Sequence, residues 1–169
     1  MDDGCTIRQA REEDYEEAAR LIGQLQTLHA RARPDLYRMP EEPLQRDVYA
    51  DWLRQEDRFT YVVEDAAAEE TSGQAPRLAA YVACRMESVP AGRALMSRRV
   101  LFVDDLVVDD ERRGTGIGTE LVEFVRKHAR TVEADAVELN VAGFNEQAAA
   151  FYAALGFGVK SSRLEFETR

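Results

Sequence analysis

The 169-residue chain carries only two cysteines and two histidines, and each scarcity excludes some chemistry. Cys5 and Cys84 lie far apart with no paired spacing, so free thiols are expected rather than a disulfide framework. With His29 and His128 alone, no His/Cys/Asp cluster has metal-ligand spacing, and histidines this sparse exclude the usual nucleophile triads. Long apolar runs are also missing. Every such stretch is broken by Asp or Arg well short of the ~20 residues a membrane-spanning helix needs. The first residues, Met1-Asp2-Asp3-Gly4-Cys5, are acidic and lack the basic-then-apolar order of a secretory leader. Free thiols and the missing leader together lead us to expect a cytoplasmic setting. Positive charge is scarce too: 22 Lys and Arg face 32 Asp and Glu, a net charge of −10. A nucleic-acid binder needs a basic face to neutralise phosphates, so none is expected here. A cationic acceptor, such as an amine or a basic peptide terminus, would suit this charge, and so would solubility alone.

What remains is ordinary for a globular protein: 45% apolar and 32% charged residues, enough for one domain over residues 1–169. Thr6-Ile7-Arg8 is a short strand candidate. Glu12-Glu13-Asp14 then marks a helix start, and Ala18, Leu21, Ile22, Leu25 and Leu28 recur at helical spacing until Pro34 stops the run. Residues 35–43 read as a loop. A second helix is expected from Leu44 to about Gln55, with Leu44, Val48, Trp52 and Leu53 inward. The period then changes to that of strands at 59–64, 78–86 and 99–108, joined by a surface loop at 67–76 and a turn at 88–94. A helix over about 116–130, a strand over 136–141, a helix over 145–155 stopped by Gly156, and a last strand pair over about 157–168 complete the chain. The class is α+β: a mixed, mostly antiparallel sheet of about six to seven strands flanked by about four helices.

The densest chemical information lies between the strand at 99–108 and the helix that follows. Gly114-Thr115-Gly116-Ile117-Gly118 places three glycines in five residues, removing the Cβ atoms that would hold a ligand off the backbone. Unpaired N–H groups at a helix start favour an anion, and Arg112 and Arg113 add charge and donors for phosphate oxygens. A polyphosphate is the expected ligand. A Walker loop would end in Gly-Lys-Ser/Thr, but Thr119 follows Gly118 directly. A dinucleotide fingerprint would show G-x-G-x-x-G near the start of repeated βα units, whereas this loop is G-x-G-x-G and lies two-thirds along the chain. The pattern Arg-x-x-Gly-x-Gly is met by Arg113, Gly116 and Gly118.

That pattern resembles the acetyl-CoA-dependent N-acetyltransferases of the GNAT superfamily. The likeness runs from Val103 to Gly118, and again through Leu139-Asn140-Val141, Asn145, Ala148, Phe151-Tyr152 and Leu155-Gly156-Phe157. Together these span roughly residues 99–159; the first hundred residues match only in the order of their elements. The resemblance implies an acetyl group moved from acetyl-CoA to a primary amine by direct attack in a ternary complex. Leu106, Val107 and Val108 would offer backbone groups to the pantetheine arm and the thioester carbonyl. Arg112, Arg113, Gly114, Thr115, Gly116, Ile117, Gly118 and Thr119 would hold the diphosphate. Asn145 would contact the pantetheine end or simply cap its helix.

Amine attack on a thioester needs a proton removed from the ammonium and one delivered to the departing thiolate. Tyr152 matches the family's usual acid position. Asp104 and Asp105 interrupt an apolar strand, which is unfavourable unless they face a cleft or find partners. Strand alternation predicts that they point to opposite faces. Spermidine/spermine-type members carry an acid where Asp104 stands, which favours Asp104 as base. Members that place the base on the fifth strand have no counterpart here, because Asn140 cannot take a proton. His29 and Tyr37 lie near the loop that lines the acceptor side in this family, so both are substrate-contact candidates; His128 is expected to pack. No metal is implied, and homodimers are common among such proteins. A non-catalytic acyl-CoA-binding module on the same fold is the alternative.

Overall fold

The computed structural model describes residues 5–65, 77–166 and 168. The loop expected at 67–76 lies outside them. The elements run β1 (Cys5–Gln9), α1 (Tyr15–Ala32), α2 (Arg46–Arg54), β2 (Arg58–Asp65), β3 (Leu78–Val89), β4 (Arg98–Val108), α3 (Ile117–Thr131), β5 (Ala136–Leu139) and α4 (Glu146–Ala154). Short 3₁₀ turns precede α1 at Glu12–Asp14 and follow β4 at Asp110–Arg112. The five strands form one sheet in the order β1-β2-β3-β4-β5. Pairing is antiparallel from β1 to β4 and parallel between β4 and β5, because α3 provides the crossover that returns the chain to the same end.

Helices cover both faces, which explains why Leu78 to Cys84 in the middle of the sheet is buried without interruption. On one face α1 and α2 set Leu21, Leu44 and Tyr49 against Val62, Tyr81 and Val107. On the other, α3 sets Ile117, Leu121 and Val125 against Val82, Leu101 and Val103. The helical period located both layers but misjudged α2. Its most buried side chain is Tyr49, whose hydroxyl donates to the Arg11 carbonyl at 3.0 Å, while Val48 is only half-buried.

The expected last strand pair does not form among the described residues, where the sheet has five strands and not six or seven. Residues 157–166 and 168 are not in strands, and Val159, Leu164 and Phe166 are almost fully exposed. The physical reason is the shortness of β5. Its four residues pair only with Val100–Val103, leaving little edge to template another strand. Among the described residues, no helix is long and apolar enough to cross a membrane.

Candidate active site

The glycine loop stands where the resemblance places it, at the end of β4 and the start of α3. Gly114 and Gly116 have φ values of 77° and 92°, a left-handed backbone that L side chains disfavour, and Gly116 is the N-cap of α3. A Cβ at either position would meet nothing within 4 Å, so both face open space. Gly118 has another role: a Cβ there would lie 3.3 Å from Phe151 Cζ and 3.5 Å from Val108 Cγ2. Its bareness lets α4 pack closely on α3 and β4. The first helical bond of α3 runs from the Glu120 N–H to the Gly116 carbonyl, so the N–H groups of Ile117, Gly118 and Thr119 precede the ladder. Thr115 Oγ1 donates to the Arg112 carbonyl at 2.7 Å and braces the loop.

The two arginines differ. Arg112 turns inward, with Nε 3.2 Å from the buried carboxylate of Asp65, an ionic contact rather than an aligned hydrogen bond, and its guanidinium also reaches Cys5 Sγ. Arg113 stays outside, paired at 2.6 Å with the exposed Asp110.

Sequence reasoning missed the residue that anchors the loop. Asp109, 1% exposed, directly follows β4 and caps the 3₁₀ turn. Its carboxylate takes Arg20 at 2.7 Å and Arg77 at 3.2 Å, and accepts from the Glu111 N–H at 3.1 Å. Burial opposes this charge, but the Glu111 N–H and Arg20 hold the carboxyl below its usual range. In the sequence it is one acid in Asp109-Asp110-Glu111, and only burial distinguishes it.

β4 and β5 separate beyond Val103 and Leu139. Past that point β4 still pairs with β3 through Val108, so alternate backbone N–H and C=O groups of residues 104–108 point into the gap. Asp104 is an extra residue in β4: Cys84 pairs with Val103 and Ala83 with Asp105. This bulge corrects the expectation of opposite faces. Leu101 and Val103 face α3 before it, Leu106 and Val108 after it, so the alternation is reset. Asp104 therefore shares the phase of Phe102, and Asp105 that of Val107, both on the α1/α2 side.

The two carboxylates are not equivalent. Asp104 is clamped by Arg85 and by Arg58 at 3.3 Å. Asp105 has no ion pair or hydrogen bond to its carboxylate among the described residues. Burial raises its pKa, while the charges of His29 and Arg58 pull the other way. A half-desolvated carboxyl of this kind can accept a proton near neutral pH far better than one held by two guanidinium groups.

Tyr152 packs edge-on against Phe151 and Phe157, with ring centroids 5.1 and 5.4 Å away. Burial pushes its phenol up to about 12, so at neutral pH it stays protonated and has a proton to give. Asn145 Oδ1 accepts from the Ala148 N–H at 3.1 Å and so caps α4. His29, on the last turn of α1, has Nδ1 2.8 Å from the Leu25 carbonyl, and its ring lies edge-on to Tyr37 and to Phe144. Phe144, in the β5–α4 loop, was not singled out in the sequence. His128 packs against Phe59 and Tyr61 on the α3 side, as expected.

Against known proteins, residues 23–157 match the model of the acetyltransferase (GNAT) family. A point mutant of the BH1408 protein from Bacillus halodurans superposes with a TM-score of 0.89 at 30% identity, covering 97% of this chain and 99% of that one. Glucosamine-6-phosphate N-acetyltransferase from Arabidopsis thaliana shares the fold at 20% identity and a TM-score of 0.68, covering 98% and 99%. So does an aminoglycoside 6'-N-acetyltransferase from Acinetobacter baumannii, at 17% and 0.70, covering 98% and 99%. No functionally curated protein matches. The chain belongs to the GNAT family of acetyltransferases.

Proposed function

We propose that the protein is an N-acetyltransferase that moves the acetyl group of acetyl-CoA onto a primary amine by direct attack in a ternary complex. One observation carries this reading. The gap between β4 and β5 begins at the bulge, with Asp105, a carboxylate that no ion pair or hydrogen bond holds among the described residues, on the α1/α2 side and the glycine loop at its far end.

Gly114 to Thr119 and Arg113 hold the diphosphate; Arg112 supports the loop from behind through Asp65. The pantetheine arm lies along Leu106, Val107 and Val108, with Asn145 at its side. Asp105 takes a proton from the bound ammonium, and the freed amine nitrogen attacks the thioester carbon. The oxyanion is met by backbone N–H groups of β4. As the C–N bond forms and the C–S bond breaks, the Tyr152 hydroxyl donates its proton to the sulfur, leaving coenzyme A as the thiol. The nitrogen's remaining extra proton returns through solvent to the Tyr152 phenolate, while Asp105 releases its own to solvent. In this reading Asp104, favoured as base from the family pattern, instead positions the bulge through Arg58 and Arg85. The buried thiols Cys5 and Cys84 suit a reducing cytoplasm. A homodimer would cover the exposed Val159, Leu164 and Phe166.

The test is release of coenzyme A thiol from acetyl-CoA across a broad amine panel. Release with an N-acetylated product supports the reading. Tight acetyl-CoA binding with no release from any amine or peptide would instead identify a non-catalytic acyl-CoA-binding module.

A further inference from the structure

Three aromatic rings and one carboxylate define what the acceptor side can hold. His29 comes from the end of α1, Tyr37 from the loop after it, and Phe144 from the loop between β5 and α4. His29 lies with its ring centroid 5.1 Å from Tyr37 and 5.4 Å from Phe144, both edge-on, so the cluster joins the two sides of the β4/β5 split. The Leu25 carbonyl fixes the His29 ring. Around it, Leu28, Leu36, Tyr37 and Met39 are exposed, an apolar concentration on one rim.

The charges at this mouth are already matched, with one exception. Asp104 is held by Arg58 and Arg85, and Asp35 and Glu165 by Arg33. Glu138 is held by Arg98 and Lys160. Asp105 alone among these carboxylates has no ion pair or hydrogen bond among the described residues, and its bulge places it on the α1/α2 side with His29 and Arg58 within electrostatic reach. The net charge of −10 would draw any polycation towards the protein. At the cleft, however, a second ammonium would have to displace a guanidinium that already holds its carboxylate.

We infer that the acceptor is a monoamine on an apolar, aromatic or branched body, seated against Phe144, Tyr37 and His29 with its nitrogen at Asp105, and not a polyamine or an aminoglycoside. This rests on the acetyl-transfer reading and narrows it. One cation meets one carboxylate, and an apolar body meets rings that attract it by burial and aromatic packing.

The full chain is assayed for thiol release with acetyl-CoA and 2-phenylethylamine, isoamylamine, spermidine or kanamycin. We expect kcat/KM for the first two to exceed that for the last two by at least ~10-fold, the scale a well-filled apolar pocket provides. Phe144→Ala should raise KM for 2-phenylethylamine by about 10-fold while acetyl-CoA affinity holds. Tyr37→Ala, at an exposed position, should raise it several-fold and serves as the second variant should Phe144→Ala fail to fold. Spermidine or kanamycin used as well as 2-phenylethylamine overturns this inference and leaves acetyl transfer standing. So does a KM for 2-phenylethylamine that neither variant changes. Acetyl-CoA binding with no release from any amine overturns both.

Discussion

Removing the Asp109 carboxylate should loosen the diphosphate loop from behind, and the size of the effect follows from its partners. Asp109→Ala deletes a fully buried anion bonded to Arg20, Arg77 and the Glu111 N–H. Breaking a buried ion pair costs about 3–5 kcal/mol when the partner is left without compensation. Here Arg20 keeps Glu17 at 2.9 Å and Arg77 keeps Glu111 at 2.9 Å, and both guanidinium groups are partly exposed. The pair loss therefore falls to about 2 kcal/mol, with ~1 kcal/mol more for the lost cap on the 3₁₀ turn. A total of about 2–4 kcal/mol corresponds to a fall in Tm of roughly 5–15 °C for a chain of this size. The pH dependence has a definite sign. The folded-state pKa of Asp109 is lowered, so its contribution is complete above the unfolded carboxyl value of about 4 and is lost as pH falls through the folded value. Urea unfolding followed by circular dichroism, for wild type and variant from pH 7 downwards, measures both. The two stabilities should differ by about 2–4 kcal/mol at pH 7 and converge below about pH 4. A difference under ~0.5 kcal/mol at pH 7, or one that persists unchanged into acid, would refute the buried-anchor account.

Four further outcomes test the site. Tyr152→Phe should lower kcat by about 10²-fold with little change in KM, and unchanged turnover would remove Tyr152 as the acid. Gly116→Arg places a bulky cation at φ 92° in the mouth of the loop and should abolish acetyl-CoA binding by calorimetry. Arg113→Ala should weaken acetyl-CoA binding without moving Tm, whereas Arg112→Ala should lower Tm because Asp65 stays buried without that cation. Wild-type kcat/KM should rise with pH through an acid limb set above the usual carboxylate range by the raised pKa of Asp105, and Asp105→Asn should remove that limb along with most activity.

Much of this was legible in the sequence because backbone constraints leave residue-type traces. The left-handed turn at Gly114 and Gly116, the stop at Pro34 and the β-branched and aromatic run through β2 are requirements that few residue types satisfy. What could not be read depends on partners distant in the chain. The bulge at Asp104 exists because β3 pairs Ala83 with Asp105 and Cys84 with Val103, and no property of Asp104 itself announces it. That one inserted residue brings both acids to the same side of the sheet and gives one of them to two arginines. The preference for Asp104 as base came from its place in the family pattern. The preference for Asp105 comes from Arg58 and Arg85, which lie 46 and 19 positions earlier in the chain. Arg112 and Arg113 make the same point: adjacent and identical in the sequence, one is drawn inward by Asp65 and the other left beside Asp110 at the surface. A motif specifies the course of the backbone through a site. Which of two like side chains is free to act is decided by the charges that tertiary packing has already matched.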